Sequence, residues 1–115
     1  MSTISEYFQA WNELDSDRRR DLLARSVMPD VQLVHPTFGR SRGSDALAGH
    51  IASYRQAMPG TEVVLTSGID AHNQIARYTW EVVDAGGRTL VAGLDVVELA
   101  ADGRLERILL FHDPS

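Results

Sequence analysis

The residue with the most unusual setting is Asp95, a carboxylic acid in the middle of the apolar segment GLDVVEL. In an extended chain it would share a face with Val91, Val97 and Leu99. Burying a carboxylate among such neighbours is costly, so we expect Asp95 to have a raised pKa. The pattern favours proton transfer or hydrogen bonding in a dry pocket. The alternative is a structural aspartate bound to a helix end or to an arginine.

Two histidines, His35 and His112, each end a segment of alternating apolar residues. An imidazole titrates near neutral pH, so each could act as a general base or orient a ligand as a hydrogen-bond donor. The structural alternative for both is a half-solvated residue at a strand end. His50 falls on the flank of an apolar helical stripe and could face inward, whereas His72 lies in a turn.

Aromatic residues form two further groups. Tyr7 and Trp11 are four residues apart and therefore share one helical face. A buried tyrosine hydroxyl needs a partner, so Tyr7 is a candidate donor, whereas Trp11 is expected mainly to pack. Tyr78 and Trp80 alternate with polar residues in a later strand, on a face that we expect to lie against the helices.

Composition excludes several classes of site and partner. The chain has no cysteine and its histidines lack metal-ligand spacing, so we expect neither a metal site nor a cofactor. The string GRSRG at 39–43 has the G-x-S-x-G form of a hydrolase elbow, which needs a large parallel sheet, and we interpret it as chance. A net charge of −5 argues against nucleic acid. Without a leader-like N-terminus or a membrane-length apolar stretch, a cytoplasmic location is expected.

The elements that must position these residues can be read from periodicity. Apolar spacing predicts two helices within residues 1–28, separated near residues 15–17, and a third helix from Ser44 to the Pro59-Gly60 stop. A short strand is predicted at 31–35, followed by a loop at 37–43. Four more strands are predicted at 62–69, 74–83, 88–99 and 104–112. The expected fold is one α+β domain over residues 1–115, with three N-terminal helices packed on a curved antiparallel sheet.

The last two predicted strands are apolar on both faces. Leu94, Val96, Leu109 and Phe111 point away from the face that carries Asp95. Because helices can cover only one face of the sheet, we expect these four residues to form a homodimer contact.

The order of helices and strands and three strings, VQLVHPTFGRSRGSDALAGHI, ARYTWEV and GLDVVELAADGRLERILLFHD, resemble the NTF2-like superfamily. The chain looks most like its SnoaL-like branch, over nearly its whole length. The resemblance implies a cone-shaped α+β fold. It leaves function open, because this fold hosts isomerases, dehydratases, cyclases, hydrolases and binding modules.

Within that superfamily the chain is similar to ketosteroid isomerase. The resemblance places Tyr7 and Asp95 at the two residues that hold the enolate oxygen, with Asp95 protonated. His35, before Pro36, stands where that enzyme has its proton-moving aspartate, so it would be the base. Trp11, His50, Trp80 and Val97 would shape the walls of the pocket, and His112 would lie at its rim or floor.

Two classes of function follow from these residues. The first is an enzyme that catalyses isomerisation, cyclisation or dehydration of a small, mostly apolar carbonyl compound by proton transfer. The second is a non-catalytic module for small-molecule binding or dimerisation. An open pocket that holds Asp95, His35 and Tyr7 together would favour the enzyme, whereas a cone filled by Trp11 and Trp80 would favour the module.

Overall fold

The computed structural model of the chain describes residues 2–113, and side chains from residue 3. Within that range it contains three helices and seven strands. In chain order they are α1 (Ser2–Asn12), α2 (Ser16–Ser26), β1 (Val27–His35), β2 (Gly39–Arg42), α3 (Ser44–Ala57), β3 (Glu62–Leu65), β4 (Asp70–His72), β5 (Ile75–Val83), β6 (Thr89–Leu99) and β7 (Leu105–His112). This is the predicted α+β arrangement. No helix in the described part of the chain is long and apolar enough to cross a membrane.

Local chemistry explains the helix boundaries. Asp15 caps α2, because its side chain accepts a hydrogen bond from the backbone N–H of Arg18 at 3.0 Å. The helix ends at Ser26, two residues earlier than predicted, because Val27 is extended and pairs with Leu105 of β7. The predicted loop at 37–43 contains the short strand β2, which forms a hairpin with β1.

The sheet has the strand order β2-β1-β7-β6-β5-β3, and β4 pairs with β5 off this path. The sheet contains six strand pairings. The four that join strands among β3 to β7 are antiparallel, as predicted. The pairing of β1 with β7 is parallel, so the sheet is mixed. Three of the pairings contain register shifts. Shifts of this kind act as β-bulges, which bend the strands that carry the site.

The helices cover one face of the sheet, and the core lies between them. On β5 the residues Tyr78, Trp80 and Val82 are buried and alternate with more exposed ones, and Phe8 of α1 contacts the Tyr78 ring edge-on at 5.2 Å. The predicted orientation of this strand is therefore confirmed. On β6 the buried alternate residues include Asp95, which brings its carboxyl under α1.

Two polar side chains fix α1 over the sheet. Asn12 accepts from the backbone N–H of Val63 at 2.7 Å and donates to the carbonyl oxygen of the same residue at 2.9 Å, so it completes the exposed edge of β3. Arg19 of α2 is buried and donates to the carbonyl oxygen of Glu13 at 2.8 Å. These bonds satisfy backbone groups that would otherwise be unpaired, and they hold Tyr7 and Trp11 above the inner sheet face.

Candidate functional site

A cavity of about 370 Å³ lies between the helices and the inner face of the sheet. Its walls are almost entirely apolar and aromatic. Six of the eight residues predicted for the site line it: Tyr7, Trp11, His35, Trp80, Asp95 and His112. The three residues predicted to carry chemistry therefore share one cavity, which the two tryptophans border without filling.

Asp95 is the buried acid of this cavity, with only 2% of its surface exposed. Tyr78 Oη donates to its Oδ2 at 2.9 Å, and Trp80 Nε1 donates to its Oδ1 at 2.9 Å. Desolvation raises the pKa of Asp95, the two hydrogen bonds oppose part of that rise, and the net result is a pKa of about 7. The raised pKa agrees with the sequence prediction. The partners are two aromatic side chains, rather than the helix end or arginine of the structural alternative.

Tyr7 supplies the second polar group. Its side chain is 1% exposed, and its hydroxyl has no hydrogen-bond partner within the described part of the chain. Burial raises the pKa of Tyr7 well above its usual value, and the nearby Asp95 charge raises it further. A buried hydroxyl without a partner costs about 1–3 kcal/mol, which a ligand oxygen could recover.

His35 at the end of β1 is held in one orientation. Its Nδ1 accepts hydrogen bonds from the backbone N–H groups of Thr37, at 3.0 Å, and Phe38, at 3.2 Å. A neutral imidazole that accepts at Nδ1 carries its proton on Nε2. Burial, with smaller contributions from the neighbouring His112 and His50, lowers the pKa of His35 from 6.5 to about 4. Near neutral pH the ring is therefore an uncharged Nε2–H donor.

Aromatic rings form the rim of the cavity. Phe38 lies between His35 and His50, with centroids 4.5 Å from each, and it stacks on His50 at an interplanar angle of 12°. His112 lines the cavity, is exposed, and is edge-on to both His35, at 6.1 Å, and Trp80, at 6.2 Å. Sequence periodicity did not predict Phe38 as a residue of the site, because it lies in a turn. The presence of an aromatic residue in an otherwise polar loop could have indicated it.

Two predicted wall residues, His50 and Val97, do not line the cavity. Val97 is fully buried in the core, opposite Ala76 on β5 and Ile108 on β7. The His50 ring stacks on Phe38, and His50 Nε2 is 3.2 Å from Ser41 Oγ. Both side chains belong to the supports of the site, and the prediction that they contact a ligand is not supported.

The arrangement offers groups for proton chemistry. Residues 2–113 contain no group of three or more histidine, aspartate, glutamate or cysteine side chains placed to hold a metal ion. Ser41 of the G-x-S-x-G string contacts His50 of α3, but in the described residues no carboxylate bonds to that histidine, so the pair is not part of a hydrolase triad. What remains is one acid that titrates near neutral pH, with two neutral donors in the same walls.

Comparison with known families agrees with the geometry. The family model described as the SnoaL-like domain matches residues 4–108. The chain belongs to the SnoaL-like family. Among proteins of curated function, none matches the sequence of this SnoaL-like protein.

Solved structures extend the comparison. A candidate isomerase of the SnoaL-like family from Agrobacterium tumefaciens str. C58 is 31% identical, with a TM-score of 0.91 over 98% of this chain and 96% of that one. An NTF2-like protein of unknown function from Exiguobacterium sp. 255-15 is 19% identical, with a TM-score of 0.78 over 98% and 99%. A candidate SnoaL-like polyketide cyclase from Jannaschia sp. CCS1 is 18% identical, with a TM-score of 0.76 over 97% and 83%. The SnoaL-like protein therefore has the NTF2-like fold that its sequence predicts.

Proposed function

We propose that this SnoaL-like protein binds a small, mostly apolar carbonyl compound in its cavity and catalyses proton transfer on it with its own side chains. The observation that carries the proposal is the combination of a buried Asp95, with a pKa near 7, and an unpartnered Tyr7 hydroxyl in the walls of one apolar cavity. Isomerisation, cyclisation and dehydration all fit this chemistry. The relatives described as a candidate isomerase and a candidate polyketide cyclase point the same way.

In the proposed reaction Asp95 acts as the base. Tyr78 and Trp80 both donate to its carboxyl, and hydrogen bonds received by a carboxylate favour its charged form. The carboxylate takes a proton from the carbon beside the carbonyl. The C–H electron pair forms the enolate double bond, and negative charge develops on the oxygen. A pKa near 7 suits a group that accepts this proton and then returns it to a carbon or a leaving group.

Tyr7 and His35 would stabilise the enolate oxygen in this scheme. A donor placed for such an oxyanion typically contributes about 3–4 kcal/mol. The resemblance to ketosteroid isomerase implies the reverse, with Asp95 as donor and His35 as base. The two backbone amides that donate to His35 Nδ1 favour our assignment, because they occupy the lone pair that a base would need.

Hydrogen–deuterium exchange tests this proposal without knowledge of the product. Hydrophobic ketones that raise the melting temperature are incubated with the protein in D₂O, and loss of the proton signal beside the carbonyl is followed by NMR. Asp95→Asn should bind these ketones but abolish exchange, whereas Asp30→Asn, which changes an exposed carboxyl, should exchange normally. Exchange by Asp95→Asn at the wild-type rate would contradict the assignment.

The pH dependence separates the two assignments. If Asp95 is the base, the exchange rate rises with pH through about 7, because the carboxylate is the active form. If Asp95 is a protonated donor, the rate falls over the same range. A falling profile would exchange the roles of Asp95 and His35, with the histidine as the base.

The second candidate function is a non-catalytic binding module. It is favoured by the fact that both oxygens of Asp95 already have internal donors, as a structural carboxyl would. In that case ketones would stabilise the protein and none would exchange at any pH.

We also propose that the protein forms a homodimer through the outer sheet face. Leu94 pairs directly with Phe111, and Val96 with Leu109, so the four residues form one continuous apolar patch on the face away from the helices. Phe111 is 54% exposed in the single chain. An exposed patch of this kind favours association with a second copy.

Sedimentation tests the dimer. At micromolar concentration the mass should be about 25 kDa, twice the 12.7 kDa of one chain. Phe111→Lys should produce monomers with little loss of fold, because the side chain is exposed. Leu14→Lys is the matched control, since Leu14 is 73% exposed and lies between α1 and α2. A wild-type monomer would exclude the dimer.

A further inference from the structure

The Asp95 carboxyl is held by a side chain that reaches it diagonally across two strands. In the β5–β6 pairing Tyr78 lies opposite Asp95, whereas Trp80 lies opposite Gly93, two residues further along the same inner face. Trp80 Nε1 nevertheless donates to Asp95 Oδ1 at 2.9 Å. The indole must therefore lie across β6 at the position of Gly93.

Gly93 is what leaves room for that ring. A Cβ atom at this position would overlap Cζ2 of Trp80, and it would lie 2.7 Å from Cη2 of the same ring and 2.5 Å from the carbonyl oxygen of Phe111. The backbone of Gly93 is not in the left-handed region, in contrast to five other glycines of the chain. A glycine inside a strand weakens it, so its presence here is explained by space rather than by a turn.

We propose that Trp80 is a positioning residue that holds the Asp95 carboxyl through its indole N–H, and that Gly93 is the position that admits it. The inference rests on the proposed role of Asp95 in proton transfer. Tyr78 alone would bind one oxygen and leave the carboxyl free to rotate about its terminal bond. The second donor, from a different point on β5, binds the other oxygen and fixes the plane of the group.

The surroundings of Asp95 make these two bonds its main support. The titratable groups that face it are Tyr7 from α1 and Tyr78 from β5, and its partner on β7 is the apolar Leu110. His112 lies near the Trp80 ring, at 6.2 Å between centroids. In the described part of the chain no arginine makes a salt bridge or hydrogen bond with Asp95. Neutral donors therefore stabilise its charge.

NMR titration tests the inference without a substrate. The indole N–H resonance of Trp80 should move with a midpoint near pH 7, following the ionisation of Asp95. The Trp11 indole, which does not bond to the carboxyl, should move much less. Asp95→Asn should remove the transition at Trp80. If the Trp80 resonance does not titrate with the Asp95 carboxyl carbon, the inference is wrong.

Substitution provides the second test. Trp80→Phe keeps an aromatic ring but removes the donor, so the pKa of Asp95 should rise from about 7 to about 8, since one hydrogen bond to a charged group is lost. In the exchange assay, the pH at which the exchange rate rises should increase by the same amount. A midpoint that stays near 7 in Trp80→Phe would overturn the inference even if wild-type exchange is observed.

Gly93→Ala should raise the pKa of Asp95 as Trp80→Phe does, because the added methyl group displaces the indole. The methyl group also meets the carbonyl oxygen of Phe111, so this variant should lose stability as well, which urea unfolding measures separately from the pKa. In the double variant the two changes should not add, since the shorter phenylalanine ring has no N–H to lose. Gly68→Ala is the control, because a Cβ there meets nothing within 4 Å. Additive shifts would indicate that Gly93 acts independently of Trp80. Should Gly93→Ala fail to fold, the Trp80→Phe titration decides the matter.

Discussion

Burial of the Asp95 carboxyl should make the stability of this SnoaL-like protein depend on pH in a way that Asp95→Asn removes. The pKa of Asp95 is raised from 3.8 to about 7, so the folded chain binds the proton more tightly than the unfolded chain. The stabilising contribution of the protonated form is fully present below pH 3.8, and it is lost as the pH rises through about 7. An asparagine at this position does not titrate, and its amide oxygen can still accept from Trp80.

The size of the effect follows from the two pKa values. They differ by about 3 pH units, and each unit corresponds to about 1.4 kcal/mol, so the contribution of Asp95 to the unfolding free energy should fall by about 4 kcal/mol between pH 4 and pH 8. His35, whose pKa is lowered, contributes in the opposite sense below pH 6.5, and the difference between the wild type and Asp95→Asn isolates the Asp95 contribution. For a chain of 115 residues this contribution corresponds to roughly 15 °C in melting temperature. Asp95→Asn also loses the hydrogen bond from Tyr78. This loss is independent of pH, so it shifts the plot of unfolding free energy against pH without changing its shape.

Thermal or urea unfolding of both proteins at fixed protein concentration measures this difference. The free energy of Asp95→Asn minus that of the wild type should increase by about 4 kcal/mol from pH 4 to pH 8. Asp30→Asn, which alters an exposed carboxyl, should show no such trend. If the Asp95→Asn difference is the same at both ends of the range, Asp95 titrates normally in the folded protein. The proposed base would then have no perturbed pKa.

Other variants test other parts of the site. Tyr7→Phe removes a buried hydroxyl without a partner, so the unfolding free energy should rise by about 1–3 kcal/mol, and the melting temperature with it, while ketone binding in the thermal-shift assay weakens. His35→Asn keeps an acceptor for the two amides but cannot titrate. Because the pKa of His35 is lowered to about 4, the wild type should lose stability relative to this variant as the pH falls below 6.5, while the Asp95 contribution is the same in both proteins. Asn12→Ala leaves both backbone groups of Val63 without their partner, so urea unfolding should show a loss of about 1–2 kcal/mol, which Asn12→Asp should reduce only in part.

Much of the architecture could be predicted because its signals are local. The 3.6-residue spacing of Tyr7, Trp11 and their neighbours places both on the buried face of α1, as observed. Strict alternation in 91–99 puts Asp95 on the buried face of β6, and the distribution of helices and strands gave the α+β class. Boundaries were less accurate at Val27, which joins β1 only because Leu105 of a distant strand pairs with it.

The sequence by itself determined which residues face the core and that one of them is an acid, because side-chain period is a property of a single element. Only the tertiary structure decided the partners of that acid, since the Tyr78–Asp95 and Trp80–Asp95 bonds depend on the register of two strands and on the space at Gly93. The orientation of His35 depends instead on a local turn, which brings the amides of Thr37 and Phe38 to its Nδ1 and which periodicity does not describe. The register of β5 and β6 and the space at Gly93 are set by residues far apart in the chain, and composition and spacing do not report them.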